Sequence, residues 1–277
     1  MPAALHILAG ILIPERGGSK NASDIAELYA LILVMATIVF LGVEGTLLWF
    51  LIRFKARRGR VAAQIHGNTR LEIGWTVGAA VILVFITVVT FIKLPGIKNP
   101  AASDIDANGA KVASTTLFAS TDQPAPPKGA SLNIVVDGQQ NVWRFQYPRV
   151  ANKEVFSYEE MVVPVGMTVT LDITADDVAH SWWIPKLGGK MDALPGYTNH
   201  TWFKADKPGT FNGQCAELCG RNHANMLARV RAVPFDQYQA WYDRQAADIK
   251  SARDEAAKQR AQIQKQQQEA AQRSATP

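Results

Sequence analysis

Hydrophobic positions fall into three regimes along the chain. Residues 30–52 are apolar over 23 positions with Glu44 the only formal charge, and residues 73–92 are apolar over 20 with none. As helices, both reach the roughly 30 Å of a bilayer core. Neither carries the polar stripe of a soluble helix packed on one face. They are predicted to form a transmembrane hairpin over residues 29–93. From residue 131 the apolar runs become short and rich in β-branched and aromatic residues: 132–136, 142–147, 161–163, 169–173, 180–184, 197–203 and 227–233. Pro, Gly and Asp punctuate the gaps, so residues 131–235 are predicted to be an all-β sandwich or Greek-key barrel. Between these regions, residues 94–130 are rich in Pro, Ala, Ser, Thr, Asp and Gly and read as a linker. After Pro234 the composition turns to Gln, Ala, Lys, Arg and Glu, so residues 236–277 are expected to be a helical or disordered polar tail. Residues 1–28 contain a weak apolar run at 3–13 without a convincing basic region or cleavage site, and are expected to be an exported N-terminal segment.

The mean hydropathy of −0.03 is therefore an average over unlike parts. The net charge of +5 would suggest nucleic acid if it formed one basic face. Instead, the stretch between the apolar segments holds Arg53, Lys55, Arg57, Arg58, Arg60 and Arg70 with no acid before Glu72. Short basic loops stay in the cytoplasm. Both termini and everything after the second span then lie on the outer side, and the charge gives no reason to expect nucleic acid. Glu44 would cost about 2.5–3.5 kcal/mol at the bilayer centre, but it sits nearer the cytoplasmic end.

The chemistry is concentrated in one short stretch. Both cysteines lie in Cys215-Ala216-Glu217-Leu218-Cys219-Gly220-Arg221-Asn222-His223-Ala224-Asn225-Met226, and His180 lies upstream in Asp177-Val178-Ala179-His180-Ser181-Trp182. Two thiols, two imidazoles and a thioether exceed the four ligands of a tetrahedral zinc, and thioether ligation points to copper. Two thiolates could also bridge a pair of copper ions. Taken alone, the Cys-x-x-x-Cys pair leaves two alternatives: a disulfide in an oxidising compartment, or the thiol pair of a thioredoxin-like copper-delivery protein. His6, His66 and His200 have no ligand company.

The chain resembles subunit II of the haem–copper cytochrome c oxidases over roughly residues 25–245. The resemblance rests on the Cys-x-Glu-x-Cys-x-x-x-His-x-x-Met pattern, on His180-Ser181-Trp182, on Lys190-Met191-Asp192-Ala193-Leu194-Pro195-Gly196, and on two spans followed by a strand-rich domain. It implies a cupredoxin-like domain with a dinuclear copper A centre. Cys215 and Cys219 would bridge the ions, His180 and Met226 would complete one, and His223 and the Glu217 backbone carbonyl the other. The Glu217 side chain would reach a magnesium or manganese ion shared with subunit I, as suits a hard cation. Glu72, in His66-Gly67-Asn68-Thr69-Arg70-Leu71-Glu72, matches an acid at the mouth of a proton path. On physical grounds it reads equally well as an interfacial acid at a helix N-terminus.

The implied activity is uptake of electrons from cytochrome c and their transfer to haem in subunit I, where oxygen is reduced to water with proton pumping. Subunit III is a further implied partner, and the implied location is a bacterial-type inner membrane, multi-pass, with the copper domain and both termini periplasmic. The family's aromatic run usually has a Trp-x-Trp core whose first Trp accepts the electron. Here Asn141 and Trp143 occupy those positions, leaving Trp143 and Trp182 (with its neighbour Trp183) as candidates for electron uptake. Asp176, Asp177, Glu159 and Glu160 are candidates for a donor-facing acidic surface. Residues 131–235 are nonetheless balanced, with equal numbers of acidic and basic side chains, so the donor is expected to be membrane-attached or tightly associated. A quinol oxidase subunit II would share the architecture without the ligands. A membrane-anchored copper chaperone or thiol reductase would show one anchor and a thioredoxin-like α/β pattern.

Overall fold

The computed structural model describes residues 12, 14, 15, 17–55, 59, 64, 66–106, 108–111 and 131–274, with side chains to 269. Residues 112–130, most of the expected linker, and 1–11 of the expected N-terminal segment lie outside the described residues. Two long helices open the fold, α1 (Lys20–Arg53) and α2 (Thr69–Lys98). Both present apolar side chains outward along their length, with Leu51, Ile52, Phe91 and Ile92 mostly exposed. Such a surface is stable only in lipid or against other apolar helices.

Each helix runs past the expected span. α1 begins ten residues before position 30, and its first turns carry the polar residues Lys20, Asp24 and Glu27. Lys93 of α2 bridges Asp24 (3.3 Å) and Glu27 (2.7 Å) there, tying the two helices together. α2 likewise continues to Lys98 through Pro95, so the linker begins about five residues later than the composition suggested.

Ten strands follow: β1 (Ser131–Gln139), β2 (Val142–Gln146), β3 (Phe156–Tyr158), β4 (Glu160–Pro164), β5 (Thr168–Ala175), β6 (His180–Trp183), β7 (Met191–Ala193), β8 (Asn199–Lys204), β9 (Gly209–Cys215) and β10 (Leu227–Val233). They form two five-stranded sheets, ordered β3-β2-β1-β5-β8 and β4-β10-β9-β6-β7. Alternation in β5 buries Val169, Leu171 and Ile173 while leaving Thr170, Asp172 and Thr174 half-buried, as the period of a one-sided strand requires. These residues meet Ile134, Val136, Trp143 and Phe145 of the same sheet and Met161, Val163, Val230 and Ala232 of the other in one core. The architecture is a cupredoxin-like β-sandwich. Strands β3, β7 and β9 were not anticipated: two are three residues long, and β9 (Gly-Thr-Phe-Asn-Gly-Gln-Cys) has almost no apolar signal.

The polar tail is a single helix, α3 (Phe235–Ser274). Its first turns dock through Tyr238, Trp241 and Tyr242 against Tyr147, and Arg253 pairs with Glu154 at 2.7 Å. Beyond about residue 257 its described side chains are exposed.

The sandwich is latched to the hairpin by buried polar groups. Asn21 Nδ2 donates to the Trp202 carbonyl (2.9 Å), the Lys204 amide donates to Ser19 Oγ (3.3 Å), and Trp202 Nε1 donates to the Ile97 carbonyl at the end of α2 (3.0 Å). Gly18 is required here, because a Cβ would stand 2.5 Å from the Lys186 carbonyl. Lys186 lies in the loop that follows β6, the strand that opens with His180.

Candidate metal centre

One end of the second sheet gathers the chemistry-bearing residues. Cys215 closes β9, Cys219 lies in the following turn, His223 opens a single 3-10 turn, and Met226 immediately precedes β10. The Cys215 amide donates to the Met226 carbonyl (2.9 Å) and the Ala216 amide to the Ser181 carbonyl (2.8 Å). The loop is thus closed on itself and tied to β6, whose first residue is His180. Gly220, at φ +125°, makes a turn that an L side chain would strain, and a Cβ there would meet Gln140 Nε2 at 2.7 Å.

All five side chains predicted as ligands converge. Cys215 Sγ lies 3.8 Å from Cys219 Sγ and 3.9 Å from His180 Nδ1. Cys219 Sγ lies 3.5 Å from His223 Nδ1 and 3.7 Å from Met226 Sδ. The Glu217 carbonyl oxygen stands 3.2 Å from Cys215 Sγ. An ion about 2.3 Å from a thiolate and about 2.0–2.1 Å from an imidazole nitrogen can touch two sulfurs up to about 4.6 Å apart, or a sulfur and a nitrogen up to about 4.3 Å apart. Each of these pairs falls inside those spans, and the donor atoms of His180, Cys215 and Cys219 all lie within 4.8 Å of one another, so these three could hold a metal ion. The cysteines are free thiols. His180, Cys215, Cys219 and Met226 are buried, His223 is half-buried, and the Glu217 side chain is exposed.

The surroundings prepare these donors. Asp177 Oδ1 sits 2.9 Å from His180 Nε2 and also accepts from the Val178 amide (2.6 Å), while Oδ2 accepts from the Gln140 amide (2.7 Å). Partial burial opposes the charge on Asp177, but these hydrogen bonds outweigh it and hold the carboxyl below its ordinary range. An ionised carboxylate only accepts, so His180 Nε2 carries the proton and the Nδ1 lone pair faces Cys215. Burial pushes the Cys219 thiol up to about 11, with the Cys215 thiol adding to the effect. Metal binding must therefore expel a proton from it. Gly138 provides room: a Cβ would come within 2.9 Å of the His180 ring and 3.1 Å of Trp143.

The other expected residues fall elsewhere. Trp143 is fully buried and meets His180 edge-on at 5.8 Å between ring centroids. Trp182 is also buried, stacks on Phe203, and pairs in register with Cys215. Glu72 closes the start of α2, where Oε1 accepts from the Asn68 amide (3.2 Å) while Asn68 Oδ1 accepts from Leu71 (3.2 Å). These are the reciprocal bonds of a helix-start capping box. Asp177, expected on a donor-facing surface, is turned towards His180. Sequence reasoning missed the 138–141 turn as part of this site. Its contacts come from residues far away along the chain, such as the Gln140 Nε2 bond to the Cys219 carbonyl at 2.5 Å across 79 positions.

A two-helix membrane anchor bearing a cupredoxin-like sandwich, with a buried dithiol, two imidazoles and a thioether at one end, defines a membrane-anchored protein with a soft-metal centre. Residues 10–92 match the model of the cytochrome c oxidase subunit II transmembrane domain, and residues 149–233 that of its periplasmic domain. The chain belongs to the cytochrome c oxidase subunit II family. It is 31% identical over 250 residues to cytochrome c oxidase subunit 2 of Cereibacter sphaeroides, covering 83% of this chain and 81% of that one. It is 37% identical over 221 residues to the subunit 2 of Alkalihalophilus pseudofirmus, covering 78% of this chain but only 57% of that relative's length. Among solved structures, the periplasmic domain of subunit II of cytochrome oxidase from Bradyrhizobium japonicum matches with 36% identity and a TM-score of 0.40, covering 42% of this chain and 94% of that one.

Proposed function

We propose that this chain is the electron-accepting subunit of a cytochrome c oxidase and that it holds a dinuclear copper A centre. The observation that carries this reading is the meeting of the His180, Cys215 and Cys219 donor atoms within 4.8 Å of one another, with the Glu217 carbonyl 3.2 Å from Cys215 Sγ and His223 and Met226 at 3.5 and 3.7 Å from Cys219 Sγ. Cys215 and Cys219 would hold both ions, His180 and Met226 would serve one, and His223 and the Glu217 carbonyl the other. Such a centre supplies one-electron uptake with the charge shared over both ions. The protein residues hold the donors still: Asp177 fixes the His180 ring, the β9–β10 ladder fixes Cys215 against Met226, and the buried sandwich end excludes water from the sulfurs.

In this reading a reduced cytochrome c docks on the domain, which lies on the periplasmic side. Its electrons pass to haem in subunit I, where oxygen reduction and proton pumping take place. The exposed Glu217 side chain is free to reach a magnesium or manganese ion at the boundary with subunit I. Subunit III completes the set of partners, and Glu72, on the cytoplasmic side, stands at the mouth of a proton path. Trp143 and Trp182 are both enclosed, so each serves as an internal relay beneath the docking face, and Trp143 has the more direct contact, against His180.

The test is electron paramagnetic resonance of the full chain in detergent after copper loading. One unpaired electron shared over two copper nuclei is expected. A spectrum from a single copper, or none, overturns the proposal.

A further inference from the structure

Glu44 breaks an otherwise apolar surface. It is exposed on α1, as is every residue from 36 to 53, and every residue of α2 from 69 to 81 is exposed as well. The halves of the two helices nearest the basic loop therefore leave each other uncovered, and Glu44 meets no hydrogen-bond or ion-pair partner among the described residues. Lipid chains offer a carboxyl no donor, so this position is costly unless something else supplies one. Water is out of reach. Arg53, which ends α1, lies nine residues on, about 14 Å along the axis. Glutamate lacks the long stem with which Lys and Arg reach an interface. Helix side chains also lean towards the N-terminus, which for Glu44 is away from Arg53 and into the span. Glu44 shares one stripe with Thr37, Leu41, Leu48 and Leu51, spaced four and three residues apart and all exposed. Such a stripe is the seam along which one helix packs against another.

We propose that Glu44 is a docking residue, covered in the assembled oxidase by a transmembrane helix of the haem-bearing subunit that presents a hydrogen-bond-donating side chain to its carboxyl. The inference rests on the reading of the chain as an oxidase subunit and is independent of the copper ligands. Chemistry requires the donor: the carboxylate only accepts, and neither the flanking leucines nor the lipid tails can give to it. The leucines of the seam would pack on any apolar helix, whereas the acid selects a helix with a donor at its own depth and so fixes the register.

The test uses the whole oxidase, purified through a tag on the haem-bearing subunit, with wild type, Glu44→Gln and Glu44→Leu compared for retention of this chain against rising detergent. Glu44→Leu should weaken association on the order of tenfold, because the partner's donor is left buried without an acceptor. Glu44→Gln keeps an acceptor oxygen and should lie close to wild type. On a lipid-facing surface, Glu44→Leu would be retained as well as wild type or better, and that result overturns the proposal. A second measurement needs no substitution: a lipid-soluble carbodiimide should modify Glu44 in the isolated full chain in detergent and leave it unmodified in the oxidase, as read by mass spectrometry of the peptide. Equal modification in both overturns the proposal. Protection in an isolated chain that is dimeric also overturns it, because a second copy is then the occupant. Failure of the wild-type chain to co-purify with the haem-bearing subunit overturns the oxidase reading and this inference together.

Discussion

Asp177→Ala should damage the centre without removing any ligand. Asp177 Oδ1 is shared by His180 Nε2 at 2.9 Å and the Val178 amide at 2.6 Å, and Oδ2 takes the Gln140 amide at 2.7 Å. His180 is fully buried, so once the carboxylate is gone its Nε2–H has at best a water entering the space Asp177 vacates, which does not hold the ring as a fixed carboxylate does. A buried donor left in that state costs about 1–3 kcal/mol. The two amides are nearer solvent and recover most of their bonds, so they add little. Loss of such an orienting partner typically lowers metal affinity by about 10–100-fold, because the ring is no longer held with Nδ1 towards Cys215.

Two measurements bear on this: competition for copper against a chelator of known affinity, and thermal unfolding of the apo chain in detergent. Asp177→Ala should bind copper about tenfold or more weakly and lose about 2 kcal/mol of stability. Asp177→Asn keeps an oxygen for His180 and Val178 but cannot accept from the Gln140 amide, so it should fall between the two. If Asp177→Ala binds copper within about twofold of wild type, the carboxylate does not orient the histidine and the reasoning fails.

Met226→Leu should retain copper, since four side-chain ligands and the Glu217 carbonyl remain, but shift the midpoint potential; an unchanged potential would argue against ligation by the thioether. Tyr147→Phe should cost about 1–3 kcal/mol in thermal unfolding, because the buried hydroxyl donates to the Val162 carbonyl (3.0 Å) and accepts from its amide (2.7 Å). Burial raises the Asp137 carboxyl above its ordinary range, with Asp176 beside it adding to the shift. The folded state therefore opposes ionisation, and stability declines as pH rises through that interval, so Asp137→Asn should raise Tm at pH 7 and leave it unchanged at about pH 3. Glu154 is held low by Arg253 and Arg149. Its contribution is present above the ordinary carboxylate range and lost as pH falls through its lowered value, so protection from hydrogen exchange in residues 248–256, taken relative to the intrinsic rate at each pH, should fall on acidification in wild type but be independent of pH in Glu154→Gln.

The parts of the fold that the sequence made legible are those where one residue's environment repeats at a fixed period. The spans of α1 and α2 are unbroken apolar runs that face outward all round, and the strands β1, β2, β5 and β10 bury side chains in an alternating pattern, so their apolar pattern is their structure. Strand β9 escapes because its two neighbours supply the pairing and its own residues bury little. The helical start of α1 escapes because Asp24 and Glu27 are polar for a reason outside the helix, namely their pairing with Lys93 of α2.

The metal-binding residues divide in the same way. Cys215, Cys219, His223 and Met226 share one loop, and their spacing is a local constraint that a sequence displays. Gln140 reaches that loop across the sandwich, where the turn between β1 and β2 of one sheet meets the Cys219 carbonyl beyond the end of the other. No period or spacing encodes that meeting; it exists only once both sheets have closed on their common core. The candidate ligands of such a centre can therefore be read before the fold is known, whereas a group such as Gln140, which secures their loop from the other sheet, comes into view only with it.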